Sequence, residues 1–157
     1  LSQCKLSSNG LAKGLIENMG YGKNRVMCIG KTPETDKEFD RLGFIVVEDS
    51  PNLIWAYHVF EHCKDPIDEL NKCYNSLSNN GTLFIAMPDP FFIEFENPYL
   101  WEHWLLREHY IMWDMGSFCD EAKAVGFEVV YKTRNTQVKM CKDYHIILRK
   151  VSNASNV

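Results

Sequence analysis

Hydrophobic positions fall into short runs separated by polar, glycine and proline punctuation, and the runs alternate between a strand-like and a helix-like period. Leu11, Leu15, Ile16 and Met19 stand at helical spacing in 10–20, with Gly20 and Gly22 behind them. RVMCIG (25–30) is a short apolar run bounded by turn residues and predicts a buried strand. Thr32-Pro33-Glu34 supplies an N-cap with proline at the first helical position, opening a helix through Leu42 that Gly43 stops. FIVVED (44–49) predicts a second strand, and LIWAYHVF (53–60) follows as the most hydrophobic segment.

Asp65-Pro66 restarts a helix that carries Ile67, Leu70, Cys73, Tyr74 and Leu77 on one stripe. Asn79-Asn80-Gly81 breaks it, and TLFIAMP (82–88) predicts a central strand. An aromatic, irregular stretch covers 89–113. The amphipathic run 114–127 turns Phe118, Ala122 and Val125 inward and ends at Gly126. EVVYKTR (128–134) and YHIILRK (144–150) close the chain as two strands joined by a polar loop.

Strands joined by helices imply a parallel sheet with right-handed crossovers, whereas two strands joined without a helix must run antiparallel. The expected fold is therefore α/β: a Rossmann-like, mostly parallel sheet with helices on both faces and an antiparallel C-terminal edge hairpin. One domain over 1–150 and a frayed tail over 151–157 are expected. The chain begins on Leu1, so it reads as a fragment or a trimmed sequence.

Composition narrows the partners more than the fold. At 157 residues and 45% hydrophobic content the chain can bury a core without staples. A formal charge of −4 argues against a nucleic-acid partner, which usually demands a basic face. No apolar run reaches the roughly 18 residues of a membrane span, and the first residues lack a signal peptide's apolar core. Six cysteines without CxxC or CxH spacing suit a reducing, cytoplasmic setting. The sequons at Asn80 and Asn153 are then coincidental.

The run LIWAYHVFEHCKDPIDELNKCYNSLSNNGTLFIAMPDP (53–90) resembles the class I S-adenosylmethionine-dependent methyltransferases. Ile54 to Tyr57 match that group's fourth strand; His58, Glu61 and His62 match its "HvlEH" end. Asp65-Pro66 match the helix opening, Asn80-Gly81 the glycine turn and Phe84 to Pro88 the fifth strand. Downstream, 101–130 is similar to the acceptor-side insertion, last helix and "GFev" strand. The resemblance implies S-adenosyl-L-methionine as cofactor, with Tyr57 and His58 as contacts and His58 in the class of position that meets its methionine part. Ligands of open α/β sheets sit outside the carboxyl ends of strands where the strand order reverses, and that is where His58 falls.

The front half departs from the family. No GxGxG loop is present, although such glycines let backbone approach a ligand at a helix N-terminus. In one register SSNG (7–10) is the loop's remnant, 10–20 is the first helix, RVMCIG is the second strand and Asp49 is the acid that holds the adenine. In the other, RVMCIG is the first strand, Gly30 is the loop's surviving glycine, Glu48 is the ribose acid and a strand-helix unit is missing before Leu53. The first needs no internal deletion and is preferred. Asn9, Gly10, Gly30 and Asp49 join Tyr57 and His58 as cofactor candidates.

His62 and His109 are the candidate bases for removing the acceptor's proton. Trp101, Trp104 and Arg107 are candidate acceptor contacts, as walls and a polar hold. His58, Glu61, His62, His103 and His109 raise the question of a metal, one that would suit zinc or iron better than magnesium. The HvlEH pattern occurs in many metal-free relatives, and no metal is assigned. The expected function is methyl transfer to an unidentified acceptor, small or macromolecular. The alternative is an inactive methyltransferase-like binding or assembly module that has lost the cofactor.

Overall fold

The computed structural model describes residues 25–30, 33–95, 108–134 and 143–152. The sequence expectations at 10–20, Asn9, Gly10, Trp101, His103, Trp104 and Arg107 lie outside the described residues. Among the described residues six strands form one sheet in the order β2-β1-β3-β4-β6-β5. They are β1 (Arg25–Ile29), β2 (Ile45–Val46), β3 (Leu53–Tyr57), β4 (Thr82–Pro88), β5 (Phe127–Arg134) and β6 (Asp143–Lys150). The first four are parallel; β6 runs antiparallel to β4, and β5 antiparallel to β6. The mixed sheet with its antiparallel edge pair is the expected Rossmann-like architecture.

Period-two alternation divides the side chains between two cores. Ile54, Ala56, Leu83, Ile85 and Met87 enter one cluster, where helices α2 (Pro66–Ser76) and α3 (Met115–Val125) supply Leu70, Cys73, Phe118 and Ala122. Leu53, Trp55, Phe84 and Ala86 enter the other, covered by Phe39 of α1 (Pro33–Arg41) and by Phe44. Helices thus cover both faces, which is why β3 and β4 read as unbroken apolar runs. Trp55 stacks on Phe84 with ring centroids 4.0 Å apart, and Phe39 meets Trp55 edge-on at 5.3 Å.

The turn chemistry is local. Asp65 caps α2 by accepting from the Asp68 N–H, ahead of proline at the first turn. Asp114 caps α3 by accepting from the Gly116 and Ser117 N–H groups. Gly126 ends α3 with φ of 120°, a conformation that a side chain would strain.

One strand is far shorter than expected. FIVVED has strand composition, but only Ile45 and Val46 pair with β1. The Val47 N–H still reaches the Val26 carbonyl, and the chain then crosses the amino end of β1. There the Arg25 N–H donates to the Asn52 side-chain carbonyl, and the Asn52 N–H donates to the Arg25 carbonyl. A six-residue return leaves no length in which a third strand and its helix could form.

The direct pairing of β1 with β3, in register from Val26–Leu53 to Ile29–Ala56, overturns the preferred N-terminal register. In the doubly wound order 3-2-1-4-5, the strand next to the fourth is the first, and the second lies one place further out. RVMCIG therefore occupies the first-strand place, as the second register has it. Both registers looked alike in sequence because a short buried strand carries no mark of its sheet position.

Phe118 is fully buried and touches the rings of Phe60 at 5.4 Å and Trp113 at 4.8 Å. Replacing it with alanine should cost about 3–5 kcal/mol, read as a lower urea midpoint with an unchanged slope.

Candidate functional site

The strand order reverses between β1 and β3, so a crevice opens outside the carboxyl ends of that pair. Both strands end there on left-handed backbone. Gly30 follows β1 with φ of 64°, and a Cβ on it would lie 2.7 Å from a methyl of Val59. Only glycine fits that turn. His58 follows β3 with φ of 52°, a conformation that side chains other than glycine seldom hold without outside constraint.

Two hydrogen bonds supply the constraint. The His58 N–H donates to the Ala86 carbonyl at 2.9 Å, continuing the ladder to β4. Its ring Nε2 lies 2.8 Å from a carboxylate oxygen of Asp143, a residue only 2% exposed that opens β6 opposite Pro88. Nδ1 of the same ring is 3.4 Å from Glu61, and Tyr57 stacks on the ring at 4.5 Å. Burial works against the charged imidazole, but the Asp143 hydrogen bond and the charges of Asp143 and Glu61 outweigh it. The His58 pKa is therefore raised above the ordinary 6.5.

A second ion pair stands at the same edge. Asp89, fully buried just past β4, accepts from the Phe91 N–H at 3.0 Å and from Arg134 Nε at 2.7 Å. Arg134 also lies 3.7 Å from Asp114 and packs over the Phe91 ring at 4.6 Å. Burial pushes the Asp89 carboxyl up, against the pull of Phe91 and Arg134.

The turn after β3 carries Glu61 and His62 in a single 3₁₀ turn, Phe60–His62. The segment that leads into α3 is clamped to it: the Tyr110 N–H donates to the Glu61 carbonyl at 2.8 Å. His62 and His109 meet edge-on with ring centroids 4.5 Å apart. Further on, the Tyr144 hydroxyl donates to the Trp113 carbonyl at 2.9 Å. A cavity of about 440 Å³ borders His109, Tyr110, Ile111 and Met112.

The sequence candidates separate into three sets. Gly30, Tyr57, His58, His62 and His109 gather at the carboxyl edge or on the turn just past it. Asp49 does not: its backbone carbonyl and carboxylate lie 3.1 and 3.4 Å from Arg25 at the opposite, amino edge of β1. This placement sets Asp49, expected to hold the adenine, apart from Gly30 and His58, since the last backbone bond its segment makes along β1 is at Val26. Asn9, Gly10, Trp101, Trp104 and Arg107 lie outside the described residues.

Sequence reasoning missed Asp89, Arg134 and Asp143. An acid directly after an apolar strand was a signal for Asp89. Nothing local marked Asp143, which comes into play only when β6 lies antiparallel on β4. The ring of His58 is expected to titrate above 6.5 by NMR, and Asp143→Asn should bring its pKa down. A histidine whose pKa is raised by folding stabilises the fold below 6.5, and that contribution is lost as pH rises through the raised value.

Known proteins agree with this geometry. The solved structures it resembles include a candidate sarcosine dimethylglycine methyltransferase from Galdieria sulphuraria, at 12% identity and TM-score 0.65, covering 93% of this chain and 85% of that one. They also include an S-adenosylmethionine-dependent methyltransferase from Mesorhizobium loti, at 11% identity and TM-score 0.57, covering 82% and 91%. The [4+2]-cyclase SpnF is similar at 11% identity and TM-score 0.59, covering 92% and 81%. No curated protein matches the sequence. The family described as "Methyltransferase domain" matches residues 15–132, more than half of the chain. The chain belongs to the methyltransferase domain family.

Proposed function

We propose that the protein is an S-adenosylmethionine-dependent methyltransferase whose cofactor lies across the carboxyl ends of β1 and β3. The observation that carries this reading is the pair of left-handed residues, Gly30 and His58, closing adjacent parallel strands where the strand order reverses. Gly30 brings the backbone of β1 close to the crevice, and Tyr57 and His58 stand beside the cofactor's methionine part. Two oriented carboxylates hold the His58 ring in place.

The cofactor supplies a methyl group on a sulfonium, open to in-line displacement. The protein's task is then to position the acceptor and take its proton. His62 and His109 are the bases within reach of the cavity along 109–112, and Trp101, Trp104 and Arg107 are the acceptor contacts. The thiols of Cys63, Cys73 and Cys119, free among the described residues, suit a cytoplasmic enzyme. Among the described residues no helix is long and apolar enough to cross a membrane.

A second reading has its own observation. Because β2 stops after two residues and Asp49 lies against Arg25, Asp49 is held away from the carboxyl edge where a cofactor's ribose would sit. A lost charge-assisted bond of about 1.5–3 kcal/mol is tenfold or more in affinity. On that reading the fold serves binding or assembly without methyl transfer, since a fold hosts many functions.

Thermal unfolding with S-adenosylmethionine and with S-adenosylhomocysteine separates the two. Ligand at a hundredfold over its dissociation constant should add about 2.7 kcal/mol to stability. His58→Ala should abolish that gain. An unchanged midpoint at millimolar ligand would leave only the binding module.

A further inference from the structure

Glu61 is 2% exposed, yet neither of its carboxylate oxygens accepts a hydrogen bond among the described residues. A buried carboxylate without donors is costly, and proteins usually resolve it with a cation or a proton. His58 Nδ1, 3.4 Å away, relieves one oxygen in part, and burial raises the Glu61 carboxyl above its ordinary value. The rest of the answer stands on the other side of the turn.

His62 Nδ1 lies 3.1 Å from the Glu108 carbonyl. A carbonyl can only accept, so Nδ1 carries the proton, and in the neutral ring Nε2 then presents a lone pair. That is the arrangement in which a backbone carbonyl fixes the tautomer of a metal-binding imidazole. His109 follows one residue after Glu108, its ring against that of His62. One ligand atom from each of Glu61, His62 and His109 falls within 4.8 Å of the others. Two hydrogen bonds, Tyr110 to Glu61 and His62 to Glu108, tie together segments that are far apart in the chain.

We propose that Glu61, His62 and His109 form a binding site for a divalent transition-metal ion, with zinc the ion its donors suit. Two imidazole nitrogens and one carboxylate are a zinc donor set, whereas magnesium prefers oxygen throughout. Zinc–ligand bonds of about 2.0–2.2 Å place ligand atoms roughly 3.5 Å apart, so the three side chains close by about an ångström on binding. Three protein ligands leave a fourth position open toward water or an oxygen or nitrogen of a bound molecule. With the ion in place His62 and His109 would serve as ligands instead of bases, and the ion would supply Lewis acidity at its open position. The sequence alone assigns no metal because the pattern is common; the buried carboxylate, which accepts no hydrogen bond among the described residues, is what changes the assignment.

The test needs no S-adenosylmethionine, so its outcome is independent of cofactor binding. Tag-free protein is stripped with chelator, reloaded with zinc and measured by elemental analysis and calorimetry. One zinc per chain is expected, with a higher unfolding temperature than the stripped form. His62→Ala and His109→Ala should each weaken zinc by roughly tenfold or more. Cobalt(II) in the unmutated protein should give the strong visible absorption of a four-coordinate nitrogen and oxygen site, which keeps the test open if a variant fails to fold. No stoichiometric zinc, undiminished binding in both histidine variants, or a thiolate charge-transfer band from cysteine ligation would overturn the assignment.

Discussion

The parallel ladder between β1 and β3 is the contact on which the remaining arrangement depends. It places RVMCIG at the centre of the parallel half and sets the point where the strand order reverses. It also brings Gly30 and His58 to neighbouring positions on one edge. Each of those residues sits in a backbone conformation that the ladder and its flanking contacts must hold. Gly30 meets the demand by having no side chain against Val59; His58 meets it by bonding to Ala86 and Asp143. Without β4 and β6 beside it, His58 would have no reason to stay where it is.

The carboxyl edge concentrates charge that the apolar strands exclude. His58, Glu61, Asp89, Arg134 and Asp143 occupy it, and Asp89, Glu61 and Asp143 are almost wholly buried. Buried ion pairs contribute little net stability against an apolar replacement, and their persistence is better explained by a role in a site. The amino edge is different in kind. Arg25 with Asp49 is an exposed pair of a sort that adds little to stability, and Asn52 and Gly81 simply close the backbone there.

Much of this was legible in the sequence. The runs at 53–60 and 82–88, the Asp65-Pro66 opening and the Gly126 stop carry their own local signals; the structure reproduces the last three within a residue or two and ends the first strand at Tyr57. FIVVED misled because β-propensity describes a fit to a sheet surface, and here the short return to Leu53 allows only two residues to pair. The N-terminal register misled for another reason: avoiding a deletion favoured a longer family pattern, while only the neighbour of β3 could decide the matter. The site was half readable. His58, Glu61 and His62 lie within one turn, whereas Asp143 and Arg134 reach the edge through an antiparallel pair whose register the sequence does not display.

The central claim is that ligand recognition belongs to the carboxyl edge of the β1–β3 pair. Backbone NMR during titration with S-adenosylhomocysteine tests it most directly, because each strand end is observed separately. The account predicts shifts concentrated at Gly30, Tyr57 and His58, with Arg25, Asp49 and Asn52 unmoved. Shifts centred on Arg25, Asp49 and Asn52 would contradict it.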